Sequence, residues 1–81
     1  MTNEEVYNKV VGILVKYSKD QTALDNISLE TSILDDLKIN SARLVDIVLD
    51  FEDEFDIEVE DDDADRVSTV QDAVSLISAK L

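Results

Sequence analysis

Three stretches of this chain carry apolar residues at helical spacing, and hardly any stretch alternates as a β-strand does. The helical periods cover residues 3–17, about 40–56, and 70–81. A shorter piece at about residues 61–66 is long enough for one or two turns, and the alternating segment 57–59 is only three residues long. The sequence therefore predicts an all-α fold, a small three- to four-helix bundle.

The predicted helices begin at residues that cap helices well. Thr2 followed by Glu5 fits a capping box before the first helix, and Ser68 followed by Gln71 offers a second one before the last helix. In the second helix we expect an inward apolar stripe, which comprises Leu44, Ile47, Val48, Leu49, Phe51 and Phe55.

Residues 18–40 carry no sustained period and are rich in side chains that favour turns and caps. An unstructured connection of that length would be unusual inside a compact domain. Apolar residues recur along it at short intervals: Leu24, Ile27, Leu29, Ile33, Leu34, Leu37 and Ile39. We therefore expect a long packed loop between helices 1 and 2, and a single domain over residues 1–81, because this length suffices for one small domain.

The chain has no His, no Cys and no Pro, and its one Gly is Gly12. These absences exclude a disulfide, a thiolate metal site, a cysteine nucleophile and an imidazole base. A Ser-His-Asp hydrolase cannot be built from this chain alone, and a Gly-rich phosphate loop is also excluded. We therefore expect none of these catalytic or metal sites in this chain.

Seven Lys and Arg residues against twenty Asp and Glu residues give a net charge of −13. Thirteen of the acids lie in residues 41–81, together with three basic side chains. Such a chain repels nucleic acids and anionic membranes and attracts basic protein surfaces. Its longest apolar run, residues 10–15, is too short to cross a bilayer. We therefore expect a cytoplasmic monomer with protein partners, no nucleic-acid partner and no stable membrane association.

The acidic run that begins at Asp61 matches a calcium-binding loop only in part. Asp61, Asp63 and Asp65 fall at positions 1, 3 and 5 of an EF-hand loop, but position 6, which needs Gly, is Arg66. Acid–base catalysis by paired carboxylates would need a cleft, which nothing in the sequence indicates. We expect a solvated acidic face here and no specific metal site.

Ser41 lies at the predicted start of the second helix, where either Ser41 or Asn40 would serve as the N-cap. A hydroxyl at that place is exposed near the positive end of the helix dipole, where a phosphate is favoured. Because the chain has no His, Ser41 lacks a strong base of its own. Ser41 therefore suits a residue that another enzyme modifies better than it suits a nucleophile.

Three blocks of sequence resemble acyl carrier proteins in order, spacing and acidity. Residues 34–42, LDDLKINSA, are similar to the family signature (E/D)-D-L-G-x-D-S-L. Residues 46–59, DIVLDFEDEFDIEV, are similar to the helix E-L-V-x-x-L-E-E-E-F-x-x-E-I, and residues 63–73, DADRVSTVQDA, look like E-A-E-K-I-x-T-V-x-D-A. The resemblance covers nearly the whole chain.

The resemblance implies that a phosphopantetheinyl transferase moves 4′-phosphopantetheine from coenzyme A onto the oxygen of Ser41. The thiol of that group would hold acyl chains as thioesters for enzymes of fatty acid or related lipid or polyketide biosynthesis. By the same resemblance the chain would have no catalytic residue and would not be an enzyme. These acyl-loading and acyl-transfer enzymes would dock through basic surfaces on Asn40, Ala42, Arg43, Asp46, Asp50, Asp53 and Glu54. The acyl chain would shelter among the helices, and its candidate lining residues are Val45, Ile47, Phe51, Val67 and Ala73.

Four positions depart from the family pattern. The usual loop Gly is Lys38, the Asp before the serine is Asn40, the Leu after it is Ala42, and the next position, often acidic, is Arg43. Lys38 costs backbone freedom just before the helix. Three of the changes make the region less negative and Ala42 makes it less apolar, so we expect a specialised carrier with a narrower set of partners.

Three alternatives stay open. A peptidyl or D-alanyl carrier of the same fold would keep the role of Ser41 and differ only in its cargo. An acidic interaction module would carry no prosthetic group. A divalent-ion binder would depend on residues 61–72.

Overall fold

The computed structural model describes residues 2–18 and 26–81, and this part of the chain folds into four α-helices. The helices are α1 (Asn3–Tyr17), α2 (Leu44–Phe55), α3 (Asp61–Asp65) and α4 (Val70–Lys80). The predicted all-α bundle is confirmed. One boundary differs, because residues Ser41–Arg43 form a tighter 3-10 turn before α2 rather than its first α-helical turn.

Helix α1 runs antiparallel to both α2 and α4. Ser78, near the end of α4, lies 3.4 Å from the first residue of α1, measured between side-chain oxygens. Farther along, Lys9 pairs with Glu54 near the end of α2, and Tyr17 donates a hydrogen bond to Asp50, one turn earlier in α2. The C-terminal end of α1 is thereby placed beside the N-terminal half of α2.

One apolar cluster joins the helices and the loop. Its buried members are Val6, Val10, Ile13, Leu14, Ile33, Leu37, Ile39, Ile47, Phe51, Phe55, Val67, Val70, Ala73, Val74 and Ile77. Leu49, predicted in the inward stripe of α2, is instead 53% exposed. At 3.6 residues per turn, Leu49 lies roughly 120° or more around the helix from Phe51 and Phe55, so the stripe is narrower than predicted.

The described part of the loop before α2 is packed, as predicted, except at Leu29, which is 41% exposed. Ile33, Leu37 and Ile39 are buried. The loop also pairs with the chain that leads into α4, since the Ile33 amide donates to the Ser68 carbonyl (2.9 Å) and the Val70 amide to the Thr31 carbonyl (3.0 Å). These bonds satisfy backbone groups that burial would otherwise leave without a partner. Leu24, a predicted apolar anchor, lies outside the described residues.

The predicted cap at Thr2 is confirmed, and the second capping box is shifted by one residue. The Thr2 hydroxyl accepts from the Glu5 amide at 3.2 Å. Before α4 the N-cap is Thr69 and its partner is Asp72, not Ser68 and Gln71. The shift has a chemical reason, because a carboxylate accepts hydrogen bonds from backbone amides more strongly than a neutral amide side chain does.

Asp72 is the centre of this cap. One carboxylate oxygen, Oδ2, accepts from the Ser68 amide (3.1 Å), the Ser68 hydroxyl (3.0 Å) and the Thr69 amide (3.0 Å). The hydrogen bonds from the Thr69 and Ser68 amides lower the pKa of Asp72 below its usual value, although partial burial opposes them. The charged carboxylate therefore stabilises the start of α4.

The acidic run forms the short helix α3 instead of a calcium-binding loop. Within it Asp63 pairs with Lys80 of α4, with Nζ and Oδ2 3.2 Å apart. No cluster of three or more His, Cys, Asp or Glu side chains among residues 2–18 and 26–81 is arranged to hold a metal ion. In the same residues, no helix has the length and apolar character required to span a membrane.

The stability that Asp72 contributes should depend on pH. Its folded-state pKa is depressed, so the contribution is present above the unfolded-state pKa of about 3.9 and is lost as pH falls through the folded-state value below it. We expect Asp72→Asn to lower the free energy of unfolding at pH 7, and the difference from wild type to shrink below about pH 4. Urea unfolding at several pH values measures both effects. Asp62→Asn, an equal charge change at an exposed position of α3, is the control, and a pH-independent difference for Asp72→Asn would contradict the assignment.

Candidate attachment site

Ser41 is presented to solvent by a turn whose backbone is held on both sides. Ile39 is buried before it. The Asn40 side chain accepts from the Ala42 amide at 2.9 Å, and the Asn40 carbonyl accepts from the Arg43 amide at 2.8 Å. Of the two predicted N-caps, Asn40 is therefore the one used. Ser41 itself is exposed, and its hydroxyl makes no hydrogen bond within the part of the chain that the structure describes.

Lys38 takes a backbone conformation that glycine adopts most easily. Its φ is 57°, in the left-handed region. Leu37 and Ile39 on either side are both buried, while Lys38 is exposed. A side chain other than Gly pays roughly 1–2 kcal/mol for this conformation, so the backbone cost expected at Lys38 stays a prediction with a defined structural basis.

Four acids predicted for the docking surface lie on α2, and three of them have partners. Asp46 pairs with Arg43 at 3.1 Å and Glu54 pairs with Lys9 at 2.9 Å. Asp50 accepts the Tyr17 hydroxyl, and Asp53 is exposed. Asp46, Asp50 and Glu54 follow one another at four-residue spacing along the side of α2 that borders α1. The acids thus form a rim along the groove between the two helices.

The Asp50 carboxylate also changes the chemistry of Tyr17. Its hydrogen bond with the phenol is the main reason why the pKa of Tyr17 lies above its usual value. Partial burial and the negative charges of Asp50 and Asp46 raise it further, while Arg43 lowers it. The phenol therefore stays protonated and keeps the end of α1 joined to α2 across the neutral pH range.

Val45 and Leu49 form an exposed apolar patch, although both were predicted to face the interior of the bundle. Val45, predicted to line an acyl-chain site, is 66% exposed, and Leu49 is 53% exposed. The two residues are four apart and therefore adjacent on the surface of α2. Both lie well away from the buried side of the helix, a position that a helical projection of residues 44–55 would have indicated. The prediction of Val45 as a lining residue is wrong.

The other predicted lining residues lie in the core. Ile47, Phe51, Val67 and Ala73 are all buried. None of them lines a groove of about 870 Å³ between α1, α4 and loop residues 27–30. A second cavity, of about 380 Å³, lies next to Ser41, and its lining among the described residues is Lys16, Tyr17, Ser18, Asn40 and Arg43.

Comparison with known proteins agrees with this geometry. The family described as "Phosphopantetheine attachment site" matches residues 11–77. The chain is 40% identical over 82 residues to the acyl carrier protein of Petrotoga mobilis, which covers 100% of this chain and 93% of that protein. It is 38% identical over 80 residues to the acyl carrier protein of Picosynechococcus sp., which covers 96% and 94% of the two chains. The chain belongs to the acyl carrier protein family.

A solved structure extends the match to the fold. The acyl carrier protein from Enterococcus faecalis superposes with a TM-score of 0.81 at 36% sequence identity, over 100% of both chains. As a carrier of this family, the chain holds acyl groups on 4′-phosphopantetheine and is not a catalyst. An exposed serine on a turn held by Asn40 fits the attachment of that group.

The left-handed conformation of Lys38 leads to a stability prediction. Lys38→Gly should be more stable than Lys38→Ala by about 0.5–1 kcal/mol, because Gly relieves the backbone strain but loses more chain entropy on folding. Both variants remove the same charge and the same long side chain, so the comparison isolates the backbone effect. Urea unfolding at neutral pH measures it. An alanine variant as stable as the glycine variant would refute the strain.

Proposed function

We propose that Ser41 is the residue to which 4′-phosphopantetheine is attached, and that residues 1–81 act as one carrier domain. The observation that carries the proposal is the exposed hydroxyl on an anchored turn, at the serine of a sequence block that resembles the family signature. A phosphopantetheinyl transferase would join the Ser41 oxygen to the coenzyme A phosphorus that bears the pantetheine. The bond from that phosphorus to the adenosine bisphosphate would break, and the adenosine bisphosphate would leave. Because the chain has no His, the transferase must supply the base that takes the serine proton.

When bound, the group supplies a thiol that holds acyl chains as thioesters, a nucleophile that this Cys-free chain lacks. The residues of the chain itself present the attachment point and recognise partners. Asn40 holds the turn through its bond to the Ala42 amide, and Ser41 provides the oxygen. The proposed setting is the cytoplasm, and the cargo is an intermediate of fatty acid or related lipid or polyketide synthesis.

The proposed docking surface combines the predicted polar residues with the apolar patch on α2. Partners with basic surfaces would meet the acids Asp46, Asp50, Asp53 and Glu54, while Val45 and Leu49 would supply apolar contact. Charge favours fast and salt-sensitive encounter, and exposed apolar side chains add affinity on contact. Asn40, Ala42 and Arg43 next to Ser41 would tune the choice of partner.

We also propose that this carrier serves a narrower set of partners than a general one. Support comes from the reduced negative charge at Lys38, Asn40 and Arg43 and from the small Ala42 side chain, all beside Ser41. If a broad set of fatty acid synthase enzymes elongated chains on it as fast as on a general carrier, this narrower proposal would fail.

A peptidyl or D-alanyl carrier remains the second candidate, because such a carrier would use Ser41 in the same way. The loading enzyme separates the two: an adenylating enzyme would charge the thiol with an amino acid in one case, and an acyltransferase or acyl synthetase would charge it with an acyl chain in the other.

Intact mass after incubation with coenzyme A and a broad phosphopantetheinyl transferase tests the attachment. We expect the wild-type chain to gain a single phosphopantetheine and Ser41→Ala to gain none, while both keep the same helical circular dichroism. Ser68→Ala, which also removes an exposed hydroxyl, should be loaded normally. The contrary result is a wild-type chain that stays unloaded while a reference carrier is loaded in the same reaction. If the transferases of the native host also failed to load the chain, the interaction module without a prosthetic group would be favoured.

The apolar patch predicts a matched pair of kinetic results. Val45→Ser should lower kcat/KM for loading by about fivefold or more, the effect of losing a moderate interface contact, without much change in stability. Val15→Ser is the control, since Val15 is also an exposed valine on a helix, at 42% exposure on α1. Equal rates for the two variants would rule out Val45 as a docking residue for the transferase.

A further inference from the structure

Two of the few basic side chains of this acidic protein border the same cleft beside Ser41. The cleft of about 380 Å³ is lined by Lys16, Tyr17, Ser18, Asn40 and Arg43. Among residues 2–18 and 26–81, two cations and no carboxylate line it, although the chain has seven basic and twenty acidic residues. Asn40 and Arg43 also flank Ser41 closely along the chain. Two cations thus lie beside the attachment residue in a protein whose net charge is strongly negative.

The two cations come together only through tertiary packing. Lys16 belongs to the last turn of α1 and Arg43 to the 3-10 turn before α2. The hydrogen bond from Tyr17 to Asp50 fixes the end of α1 against α2 and so keeps Lys16 near the turn. The cleft therefore has a defined position relative to Ser41.

Two acids of α2 near the cleft already have partners. Asp46 pairs with Arg43, and Asp50 accepts the hydrogen bond from Tyr17. The pair between Arg43 and Asp46 is an exposed contact at a spacing of three residues, with side-chain exposures of 64% and 45%. Exposed pairs of this kind contribute about 0–1 kcal/mol, so Arg43 can turn to a stronger anionic partner at little cost.

Resting on the proposed attachment at Ser41, we propose that Lys16 and Arg43 bind the phosphodiester that joins the prosthetic arm to Ser41. The Ser41 oxygen is one of the two ester oxygens of that group, so its negative charge must lie beside the cleft. Arg43 offers the planar donors that suit phosphate oxygens, and Lys16 offers a mobile point charge. The two are positioning residues. They hold the root of the arm toward the end of α1.

Lys16 also has a purely structural effect, because a cation in the last turn of a helix interacts favourably with the helix dipole. That effect concerns the stability of α1 and does not depend on a phosphate. A measurement on the phosphorus atom separates the two roles.

The test uses the loaded protein. Wild type, Lys16→Gln, Arg43→Gln and the double variant are loaded with phosphopantetheine, checked by intact mass, and compared by phosphorus NMR with the same chains unfolded in urea. We expect the wild-type phosphorus resonance to be displaced from the unfolded position, each single variant to reduce the displacement, and the double variant to abolish it. Raising salt from about 0.02 to 0.5 M should move the wild-type resonance toward the unfolded position, because salt screens exposed charges.

Amide NMR provides a second readout. The amide signals of residues 16–18 should shift between the unloaded and loaded wild-type protein, and this shift should be absent in the double variant. Lys9→Gln and Arg66→Gln are the controls, since they remove the same side-chain types outside the cleft and should keep the wild-type phosphorus resonance.

Two results would overturn the inference. In the first, the phosphorus resonance of the loaded double variant has the same position as that of the wild type. In the second, the control variants displace the resonance as much as the cleft variants do. The second result would show a general charge effect. Failure of the wild-type chain to load would contradict the proposed function instead, and the mass measurement detects this before any NMR is recorded. If the transferase rejects Arg43→Gln, then Lys16→Gln, distant in sequence from Ser41, still decides the outcome.

Discussion

Burial of Leu37 and Ile39 on either side of Lys38 anchors the segment that carries Ser41. Each of these side chains contributes on the order of 2 kcal/mol when it leaves water, more than the strain that the Lys38 backbone conformation costs. Because Ile39 is buried and the Asn40 side chain accepts a hydrogen bond from the Ala42 amide, Ser41 between them faces outward. The exposed position of Ser41 is thus a consequence of apolar packing that begins several residues before it.

The same core lets the surface stay strongly acidic. The ion pairs of Lys9 with Glu54 and Lys80 with Asp63 link separate helices, but surface pairs of this type contribute about 0–1 kcal/mol each. The fold therefore depends on the apolar cluster, and most acids can face solvent or a partner. A carrier that must meet several enzymes in turn benefits from such a surface, because charge speeds encounter without making the complex long-lived.

The helices, the packed loop and the position of Ser41 could be predicted because each follows from short-range patterns or from a contiguous motif. The misplaced details have physical causes. The capping box moved from Ser68 to Thr69 because the Asp72 carboxylate competes better for the amides than Gln71 does. The α-helical start moved to Leu44 because the Asn40 carbonyl accepts a tight bond from the Arg43 amide. Apolar character alone could not tell Val45 and Leu49 from the buried residues of α2.

By itself, the sequence determined the helical periods, the acidic surface, the absence of any catalytic imidazole or thiol, and the family to which the chain belongs. These properties depend on residue type and local spacing. Only the tertiary structure decided that Tyr17 joins α1 to Asp50 and that Lys16 reaches the cleft beside Arg43. The physical reason is that these contacts join segments more than twenty residues apart, whose relative position follows from how the whole core packs.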